Sequence, residues 1–189
     1  MTELCDLGRK WHTDKGPSEN PLAHAYTPAY HQLLNARREE VKKVLEIGIG
    51  WAGLMHSDYR AGGSLFMWRD YFPNAEIYGL EIREDSLVYA ERIHSYQCDQ
   101  SSEDSLRLAA IWVGAELDLI VDDGSHVKED QVLTARILKP LLAPNGIYVI
   151  EDVHDAELPW VLENLPFKCE VIEVENERLT GDRLIVIRG

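Results

Sequence analysis

From Val41 onwards, short apolar runs alternate with segments in which apolar residues recur at helical spacing. The runs predict five buried strands, which span residues 44–47, 75–81, 96–98, 117–121 and 147–150. The segments between them predict helices, which fall within residues 65–72, 85–93, 101–112 and 128–142. Because strands that alternate with helices form βαβ units, we expect a mostly parallel sheet with helices on both faces.

The two ends of the chain depart from this alternation. Prolines and a glycine interrupt the first 40 residues, which are therefore predicted to be irregular. After a helix predicted at 155–165, β runs at 168–174 and 183–188 are joined by a polar loop without a helix, so they should pair antiparallel. The predicted fold is α/β, with a Rossmann-like sheet of seven strands, one of them antiparallel, as in class I methyltransferases. One domain is expected to span residues 1–189.

The charge of the chain excludes several classes of partner. Its 189 residues include 33 acidic and 19 basic side chains, a formal net charge of −14, and no run of five basic residues. Nucleic-acid phosphates and anionic lipids would repel such a chain, so neither nucleic acid nor a membrane is an expected partner. The N-terminus has no signal-peptide pattern, and the three cysteines form no Cys-x-x-Cys pair, which together favour a cytoplasmic location.

A glycine-rich turn follows the first predicted strand, and its pattern fits two cofactors. Gly48-x-Gly50-x-x-Gly53 satisfies the dinucleotide-binding pattern of NAD-dependent oxidoreductases. Glu46-x-Gly48-x-Gly50 also satisfies the pattern of enzymes that use S-adenosylmethionine (SAM). An ordinary tight turn between a strand and a helix is the third interpretation.

Polar residues at the ends of the next two strands favour SAM. The dinucleotide pattern requires an acid about 20 residues after the glycines, and none stands there at a clear strand end. Instead, Glu81 ends the second strand, where its carboxylate can accept hydrogen bonds from both ribose hydroxyls. Asp99 and Gln100 follow the third strand and are placed to bind adenine. Carboxylates at three successive strand ends suit a ligand that carries a sulfonium and no phosphate.

The fourth and fifth strands end in a second set of acids. Asp123 follows the fourth strand, and Glu151 and Asp152 follow the fifth. Adjacent parallel strands would bring these three carboxylates together, and such a donor set suits Mg²⁺. His126 would lie beside the metal and close to the cofactor. For Asp122, at the same strand end, a helix cap or a solvated loop charge is as good an interpretation as a functional role.

A series of short motifs resembles, in chain order, those of the SAM- and Mg²⁺-dependent sugar O-methyltransferases, a family that includes the macrocin- and mycinamicin-type enzymes. The resemblance extends from Thr13 to His154, and residues 155–189 carry no recognised motif. The motifs are Thr13-Asp14-Lys15-Gly16, His24-x-Tyr26-Thr27-Pro28-x-Tyr30, Glu46-Ile47-Gly48-Ile49-Gly50, Gly62-Gly63-Ser64-Leu65-x-Met67-Trp68, Cys98-Asp99-Gln100-Ser101, Asp122-Asp123-Gly124-Ser125-His126 and Ile150-Glu151-Asp152-Val153-His154.

The resemblance implies transfer of a methyl group from SAM to a sugar hydroxyl. Asp123, Glu151 and Asp152 would be the Mg²⁺ ligands, and His126 would be the general base. Residues 1–40 would form a segment that covers the cofactor and the substrate. Together with the residues argued above, the cofactor shell would comprise Thr27, Glu46, Gly48, Gly50, Ser64, Glu81, Asp99, Gln100 and Asp122.

The acceptor implied by the resemblance is a saccharide or a glycosylated small molecule. The excess of acidic residues favours a neutral or cation-bearing acceptor over a phosphorylated one. A metal-dependent methyltransferase of catechols or other diols is the main alternative, and an NAD-binding oxidoreductase is a weaker one. A homodimer is expected. The chain departs from the family at the end of the second strand, where the family commonly has aspartate and this chain has Glu81.

Overall fold

The computed structural model describes residues 1–16, 23–51, 53, 60–174 and 183–189. The strands in these ranges are β1 (Lys43–Ile47), β2 (Glu76–Glu81), β3 (Ile93–Gln97), β4 (Leu117–Asp122), β5 (Leu142–Ile150), β6 (Cys169–Glu173) and β7 (Arg183–Arg188). They form one sheet in the order β3-β2-β1-β4-β5-β7-β6. Strands β1 to β5 pair in parallel, and β7 runs antiparallel to both β5 and β6. The predicted sheet of seven strands, one of them antiparallel, is confirmed.

Helices cover both faces of the sheet. Those in the described ranges are α1 (Glu3–Lys10), α2 (Tyr26–Leu34), α3 (Gly63–Tyr71), α4 (Glu103–Val113), α5 (Lys128–Leu138) and α6 (Leu158–Asn164). Helices α1, α2 and α3 pack in one buried cluster with strand residues such as Val44 and Leu119. Helices α4, α5 and α6 pack in a second cluster on the opposite face of the sheet. This cluster includes Leu45 and Ile120, which follow Val44 and Leu119 in the chain and therefore point to the other face. None of the described helices is long and apolar enough to span a membrane.

The prediction that the first 40 residues are irregular is wrong, because α1 and α2 lie within them. The side chain of Thr2 caps α1 by accepting a hydrogen bond from a backbone N–H in the first turn. In α2, Tyr26, Tyr30 and Leu34 recur every four residues and are fully buried. Pro28 lies in the first turn of α2, where its missing N–H removes no hydrogen bond.

The helix predicted at 85–93 is also wrong. Only a short 3-10 turn forms there, at Glu84–Ser86. The hydroxyl of Ser95 donates to the carbonyl oxygen of Val88 at 2.7 Å and accepts from its N–H at 3.2 Å. Ala90 and Ile93 form an isolated bridge. These bonds satisfy backbone groups that a helix would have paired, and they come from β3 rather than from local sequence.

The five parallel strands bring their carboxyl ends to one edge of the sheet. Polar residues from Glu46 in β1 to Asp152 after β5 are therefore collected at this edge, as the sequence predicts. In open α/β sheets, ligands bind beyond this edge. The polar loop predicted between β6 and β7 (175–182) lies outside the described residues.

Candidate active site

A cavity of about 370 Å³ opens at the carboxyl ends of β1 to β4, and we call it the strand-end pocket. Its volume falls in the range of small-molecule sites. The residues from the end of β4 that line it include Asp123, Gly124 and Ser125. Five of the residues predicted to bind the cofactor also line it, namely Gly48, Gly50, Glu81, Asp99 and Gln100.

The glycine turn after β1 presents bare backbone to this pocket. Gly48 and Gly50 have φ values of +78° and +81°, in the left-handed region that favours glycine. A Cβ atom at Gly48 would lie 2.0 Å from the carbonyl oxygen of Asp123, so a side chain does not fit there. The turn therefore packs directly against the end of β4 and connects the pocket with the acids of that strand.

Two of the acids that line the strand-end pocket, Glu81 and Asp99, are oriented by backbone and hydroxyl groups. Glu81 accepts hydrogen bonds from the backbone N–H of Ile49 at 3.3 Å and of Arg83 at 3.0 Å, one on each carboxylate oxygen. One oxygen of Asp99 accepts from the backbone N–H and the hydroxyl of Ser101, at 2.9 and 2.7 Å. These bonds fix the carboxylates, and each residue keeps lone pairs for a ligand.

Gln100 connects two strand ends. Its amide nitrogen donates to Asp122 at 2.6 Å, and its amide oxygen accepts from the backbone N–H of Ser125 at 2.7 Å. Asp122 also accepts a hydrogen bond from the Tyr148 hydroxyl at 2.9 Å. Burial raises the pKa of Asp122 to about 7, against the effect of these two donors. The amide of Gln100 is thus engaged within the protein, although its side chain lines the pocket.

The strand-end pocket is also lined by a stacked pair that the sequence motifs do not indicate. The guanidinium carbon of Arg83 lies 4.1 Å from the centre of the Trp51 ring. The guanidinium group is also held by Asp85, at 3.1 and 2.8 Å. Trp51 directly follows the Gly48-x-Gly50 turn, and Arg83 follows the second strand, so the pair connects the two loops that bear the predicted cofactor residues.

Four residues predicted to bind the cofactor do not line the strand-end pocket. Glu46 is buried and accepts a hydrogen bond from the Trp68 indole at 2.8 Å and another from Ser64. Thr27 is also buried, and its hydroxyl donates to the thiol of Cys5 at 3.3 Å. Asp122 forms the network with Gln100. The cofactor role of these four residues stays a prediction.

The predicted metal ligands and the predicted base meet in what we call the carboxylate cluster, formed by Asp123, Glu151, Asp152 and His126. One ligand atom from each of Asp123, His126 and Asp152 lies within 4.8 Å of the others. The His126 imidazole is 3.1 Å from an oxygen of Asp123 and 3.5 Å from one of Asp152. His126 and Asp152 have φ values of +57° and +54°, which non-glycine residues rarely adopt. The backbone is thus strained where it directs two of these side chains into the cluster.

A buried lysine from the N-terminal segment inserts into this cluster. The ammonium group of Lys15 is 2.5 Å from Asp123, 2.6 Å from Glu151 and 3.2 Å from Glu46. Lys15 is only 1% exposed. Its backbone carbonyl accepts a hydrogen bond from the N–H of Thr27, which attaches this segment to α2. One cation thereby binds acids at the ends of β1, β4 and β5.

Two tyrosines of α2 also bind carboxylates of the cluster. The Tyr26 hydroxyl donates to Asp152 at 2.5 Å, and the Tyr30 hydroxyl donates to Glu151 at 2.5 Å. The four-residue spacing places both hydroxyls on one face of the helix. Lys15, Tyr26 and Tyr30 all belong to the motifs that carry the family resemblance, but no role was predicted for them. Their spacing and motif membership were the signal that could have found them.

The charges of the cluster determine its protonation. Burial disfavours the charged form of His126, but its hydrogen bond to Asp123 and the charges of Asp123 and Asp152 raise its pKa to about 9. Burial alone would raise the pKa of Asp123, but Lys15 and His126 hold it well below its usual range. Burial and the neighbouring carboxylates raise the pKa of Glu151, against the effect of Lys15. His126 is therefore mainly protonated at neutral pH while no further cation compensates these acids.

The donor set of the carboxylate cluster fits a hard divalent cation. Carboxylate oxygens are the ligands that Mg²⁺ prefers, and clustered buried carboxylates repel one another without a cation. Asp123 and Asp152 each direct an oxygen towards a common point near His126. Glu151 belongs to the same cluster, with both oxygens in contact with Lys15 or Tyr30. Among the described residues, the geometry thus brings together Asp123, Asp152 and His126, and the assignment of Glu151 as the third ligand stays a prediction.

Curated relatives of the chain are O-methyltransferases. The chain is 36% identical over 157 residues to the mycinamicin VI 2''-O-methyltransferase of Micromonospora griseorubida, a match that covers 83% of this chain and 37% of that protein. It is 39% identical over 157 residues to the demethylmacrocin O-methyltransferase of Streptomyces fradiae, covering 83% and 38%. It is also 39% identical over 137 residues to the 8-demethyl-8-alpha-L-rhamnosyl tetracenomycin-C 2'-O-methyltransferase of Streptomyces olivaceus, covering 72% and 35%. The chain thus spans less than two fifths of the length of these relatives.

Solved structures support the same relationship, although no family profile matches the chain. The MycE methyltransferase from the mycinamycin biosynthetic pathway, in complex with Mg, SAH and mycinamycin VI, superposes with a TM-score of 0.76 at 27% identity. The superposition covers the whole of this chain and 55% of that one. A putative rRNA methylase from Clostridium thermocellum superposes with a TM-score of 0.58 at 14% identity, covering 84% and 94%, which shows the fold alone. The chain therefore has the class I methyltransferase fold and is related to the sugar O-methyltransferases, as its motifs predict.

Proposed function

We propose that the chain is a SAM- and Mg²⁺-dependent O-methyltransferase that methylates a hydroxyl of a sugar or of a glycosylated small molecule. The observation that carries this proposal is the shared position of Asp123, which both lines the strand-end pocket and belongs to the carboxylate cluster. A cofactor in the pocket and a cation in the cluster would therefore be neighbours. A hydroxyl held by that cation would lie close to the methyl donor, as methyl transfer requires.

The substrate class rests on the relatives. The names of the three curated relatives describe O-methyltransferases, and one of them specifies a rhamnosyl group on its substrate. The MycE structure holds Mg, SAH (S-adenosylhomocysteine, the demethylated form of SAM) and mycinamycin VI. This chain covers only part of each of these proteins, so its acceptor is proposed by class and not by identity.

In the strand-end pocket, we assign binding of SAM to the glycine turn and to the acids at the ends of β2 and β3. The bare backbone at Gly48 and Gly50 lets a ligand approach closely. Glu81 is oriented by two backbone N–H groups and would accept hydrogen bonds from the ribose hydroxyls. Asp99 would bind the adenine, and Gln100 would hold the end of β4 in place beside it.

In the carboxylate cluster, Asp123, Glu151 and Asp152 would hold Mg²⁺, and His126 would receive the proton of the hydroxyl. When bound, the ion supplies a Lewis acid that lowers the pKa of a sugar hydroxyl. In the proposed transfer, the hydroxyl oxygen would bond to the methyl carbon as the carbon–sulfur bond of SAM breaks, and the hydroxyl proton would move to the imidazole of His126. His126 must be neutral for this role, and its pKa of about 9 falls when the charges of Asp123 and Asp152 are compensated.

A direct assay tests the proposal. The purified protein is incubated with SAM, MgCl₂ and a panel of neutral mono- and disaccharides and glycosides, and mass spectrometry detects the gain of one methyl group. We expect transfer to at least one glycosidic acceptor, loss of transfer in excess EDTA, and recovery when Mg²⁺ is restored. Transfer that is indifferent to the chelator would contradict the metal half of the proposal.

Calorimetric titration separates the cofactor from the acceptor. We expect binding of SAM and SAH and no binding of NAD, because the acids at three strand ends would repel a pyrophosphate. Tight binding of NAD without SAM would instead support the oxidoreductase alternative. Methylation of catechols, with no reaction on any sugar, would support the proposed methyl transfer but would contradict the proposed sugar acceptor.

Three further parts of the proposal concern organisation. Residues 1–189 would act as one domain, since a single sheet joins all the described strands. The proposed covering role of residues 1–40 is supported by Lys15, Tyr26 and Tyr30, which reach the carboxylate cluster from that segment. A homodimer and a cytoplasmic location stay predictions, and light scattering on the purified protein would test the first.

A further inference from the structure

Lys15 is a buried charge that the proposed chemistry does not use. Its ammonium group lies within 3.2 Å of oxygens from Asp123, Glu151 and Glu46. The side chain is 2% exposed, and those of Glu46 and Glu151 are 0% and 1% exposed. A charge pair this deeply buried is costly to desolvate, so the contacts must compensate in geometry and number. Hydrogen bonds to Asp123 and Glu151, together with the nearby charge of Glu46, provide this compensation.

Lys15 binds one oxygen of each of two carboxylates in the cluster and leaves the second oxygen to another group. On Asp123, the ammonium group binds one oxygen, and the other oxygen faces His126. On Glu151, it binds one oxygen, and the other accepts from Tyr30. Each carboxylate is therefore held from one side by Lys15, which fixes the direction of its second oxygen. Lys15 itself does not line the strand-end pocket.

Lys15 also places a permanent positive charge beside the acids. The proposed divalent cation, by contrast, would supply positive charge only while it is bound. Glu46, Asp123, Glu151 and Asp152 carry four formal negative charges among them. With Lys15 present, part of this charge is compensated before any metal binds. Removing the ammonium group leaves the acids repelling one another and increases their attraction for any cation.

We propose that Lys15 is a positioning residue that acts as a built-in counter-charge, orienting Asp123 and Glu151 and weakening the attraction of the carboxylate cluster for divalent cations. This inference rests on the proposed cation site. If Lys15 had only a packing role, its loss would lower stability without changing the affinity for Mg²⁺. Without Lys15 the protein should be less stable, yet it should bind Mg²⁺ more tightly.

The test compares Lys15→Met with the wild-type protein and with Lys10→Met. Met has a similar length without the charge. Lys10 is a matched control, because it lies in the same N-terminal segment and pairs with Asp70 on the surface, where its side chain is 57% exposed. Thermal unfolding is followed while MgCl₂ is titrated into EDTA-stripped protein, with neither SAM nor an acceptor present.

We expect Lys15→Met to lower Tm by roughly 10 °C in metal-free buffer, since it leaves buried acids unpaired. Added Mg²⁺ should then raise Tm by more than in the wild type, with a midpoint at least about tenfold lower in concentration. Lys10→Met should match the wild type in both measurements. Lys15→Arg keeps the charge, and its Mg²⁺ midpoint should stay within about threefold of the wild type.

Several results would overturn the inference. An unchanged or higher Mg²⁺ midpoint in Lys15→Met would do so, as would the absence of any response to Mg²⁺ in both proteins. A Lys15→Met protein that stays unfolded at every Mg²⁺ concentration would show that a divalent cation does not replace the ammonium group. Lys15→Arg with the tight midpoint of Lys15→Met would show that charge is not the cause. Failure of the proposed function is seen separately, as wild-type protein that binds no SAM and methylates no acceptor.

Discussion

The strand-end pocket and the carboxylate cluster lie at the same edge of the sheet, but they are built in different ways. In the pocket, Glu81 and Asp99 accept hydrogen bonds from backbone N–H groups of nearby loops. In the cluster, carboxylates are bound by Lys15, Tyr26 and Tyr30 from the distant N-terminal segment and by His126 from the loop after β4.

This difference separates two kinds of binding. Backbone donors orient an acid without changing the net charge of the site, which suits recognition of neutral hydroxyl and amine groups. In the cluster, the ammonium group of Lys15 and the protonated imidazole of His126 compensate part of the negative charge of the carboxylates. Such a site is suited to binding a metal ion and to taking up or releasing a proton. Four predictions test whether the two regions are as separate as this comparison implies.

The largest effect is expected from the Asp152→Asn substitution. Asparagine tolerates the left-handed conformation of this position, so the fold should be retained. Loss of one of the proposed metal ligands should lower methyl transfer by about 10⁴-fold, because it removes several kcal/mol of the transition-state stabilisation that the proposed metal would supply. Initial rates at saturating SAM and MgCl₂ measure this, and SAM affinity by calorimetry should stay within about threefold. Comparable loss of SAM binding would show that the pocket and the cluster are one unit.

The next effect is expected at His126. Substitution of His126 with Ala should lower kcat by about 10²–10⁴-fold, the usual contribution of a positioned base, with little change in the affinity for SAM. Single-turnover rates across a pH series provide the measurement. The wild-type rate should rise with pH as His126 loses its proton, and the variant should lack this rise. Full activity in this variant would remove His126 from the proposed mechanism.

A substitution in the pocket should have the opposite profile. Glu81→Ala removes a charged acceptor that two backbone N–H groups orient. A hydrogen bond to a charged acceptor contributes about 1.5–3 kcal/mol, so loss of one such bond to the ribose should lower SAM affinity by roughly 10–100-fold. The Mg²⁺ response of Tm should remain that of the wild type. Calorimetry with SAH and thermal unfolding with MgCl₂ provide the two readouts, and Glu81→Asp should recover part of the affinity.

The smallest effect concerns pH in EDTA-treated protein. The pKa of His126 is raised from 6.5 to about 9 in the folded protein, so its contribution to stability is fully present below pH 6.5. It is lost as the pH rises through 9. The wild-type Tm minus that of His126→Gln should therefore fall between pH 6 and pH 10, by less than about 5 °C because the side chain is partly exposed. A difference that is constant with pH would show that the ion pairs of His126 contribute nothing.

Much of this arrangement follows from local patterns in the amino-acid sequence. Strand runs such as Leu117–Val121 are recognisable because they are short, apolar and buried on both faces. The motifs at their ends then had to meet at one edge, because parallel strands end together. The predicted pocket residues Glu81 and Asp99 fall where this rule places them.

Other parts of the fold do not follow from local patterns. The helix predicted at 85–93 fails because Ser95 in β3 pairs with the backbone of Val88. The helices of the first 40 residues could not be predicted from the sequence pattern, because they are short and because prolines occur in this part of the chain. Their stability comes from burial of one apolar face against α3 and the sheet, which local propensity does not contain.

The succession of strands and helices, the glycine turn and the acids that follow each strand can be predicted from the amino-acid sequence, because they depend on local patterns and on the parallel sheet these imply. The insertion of Lys15 among those acids depends on the tertiary fold, since Lys15 is separated by 108 residues from Asp123 and by 136 from Glu151. The formal charge of −14 likewise says nothing of where one lysine is buried. A charge is fixed by composition, whereas its compensation depends on which distant groups the fold brings into contact.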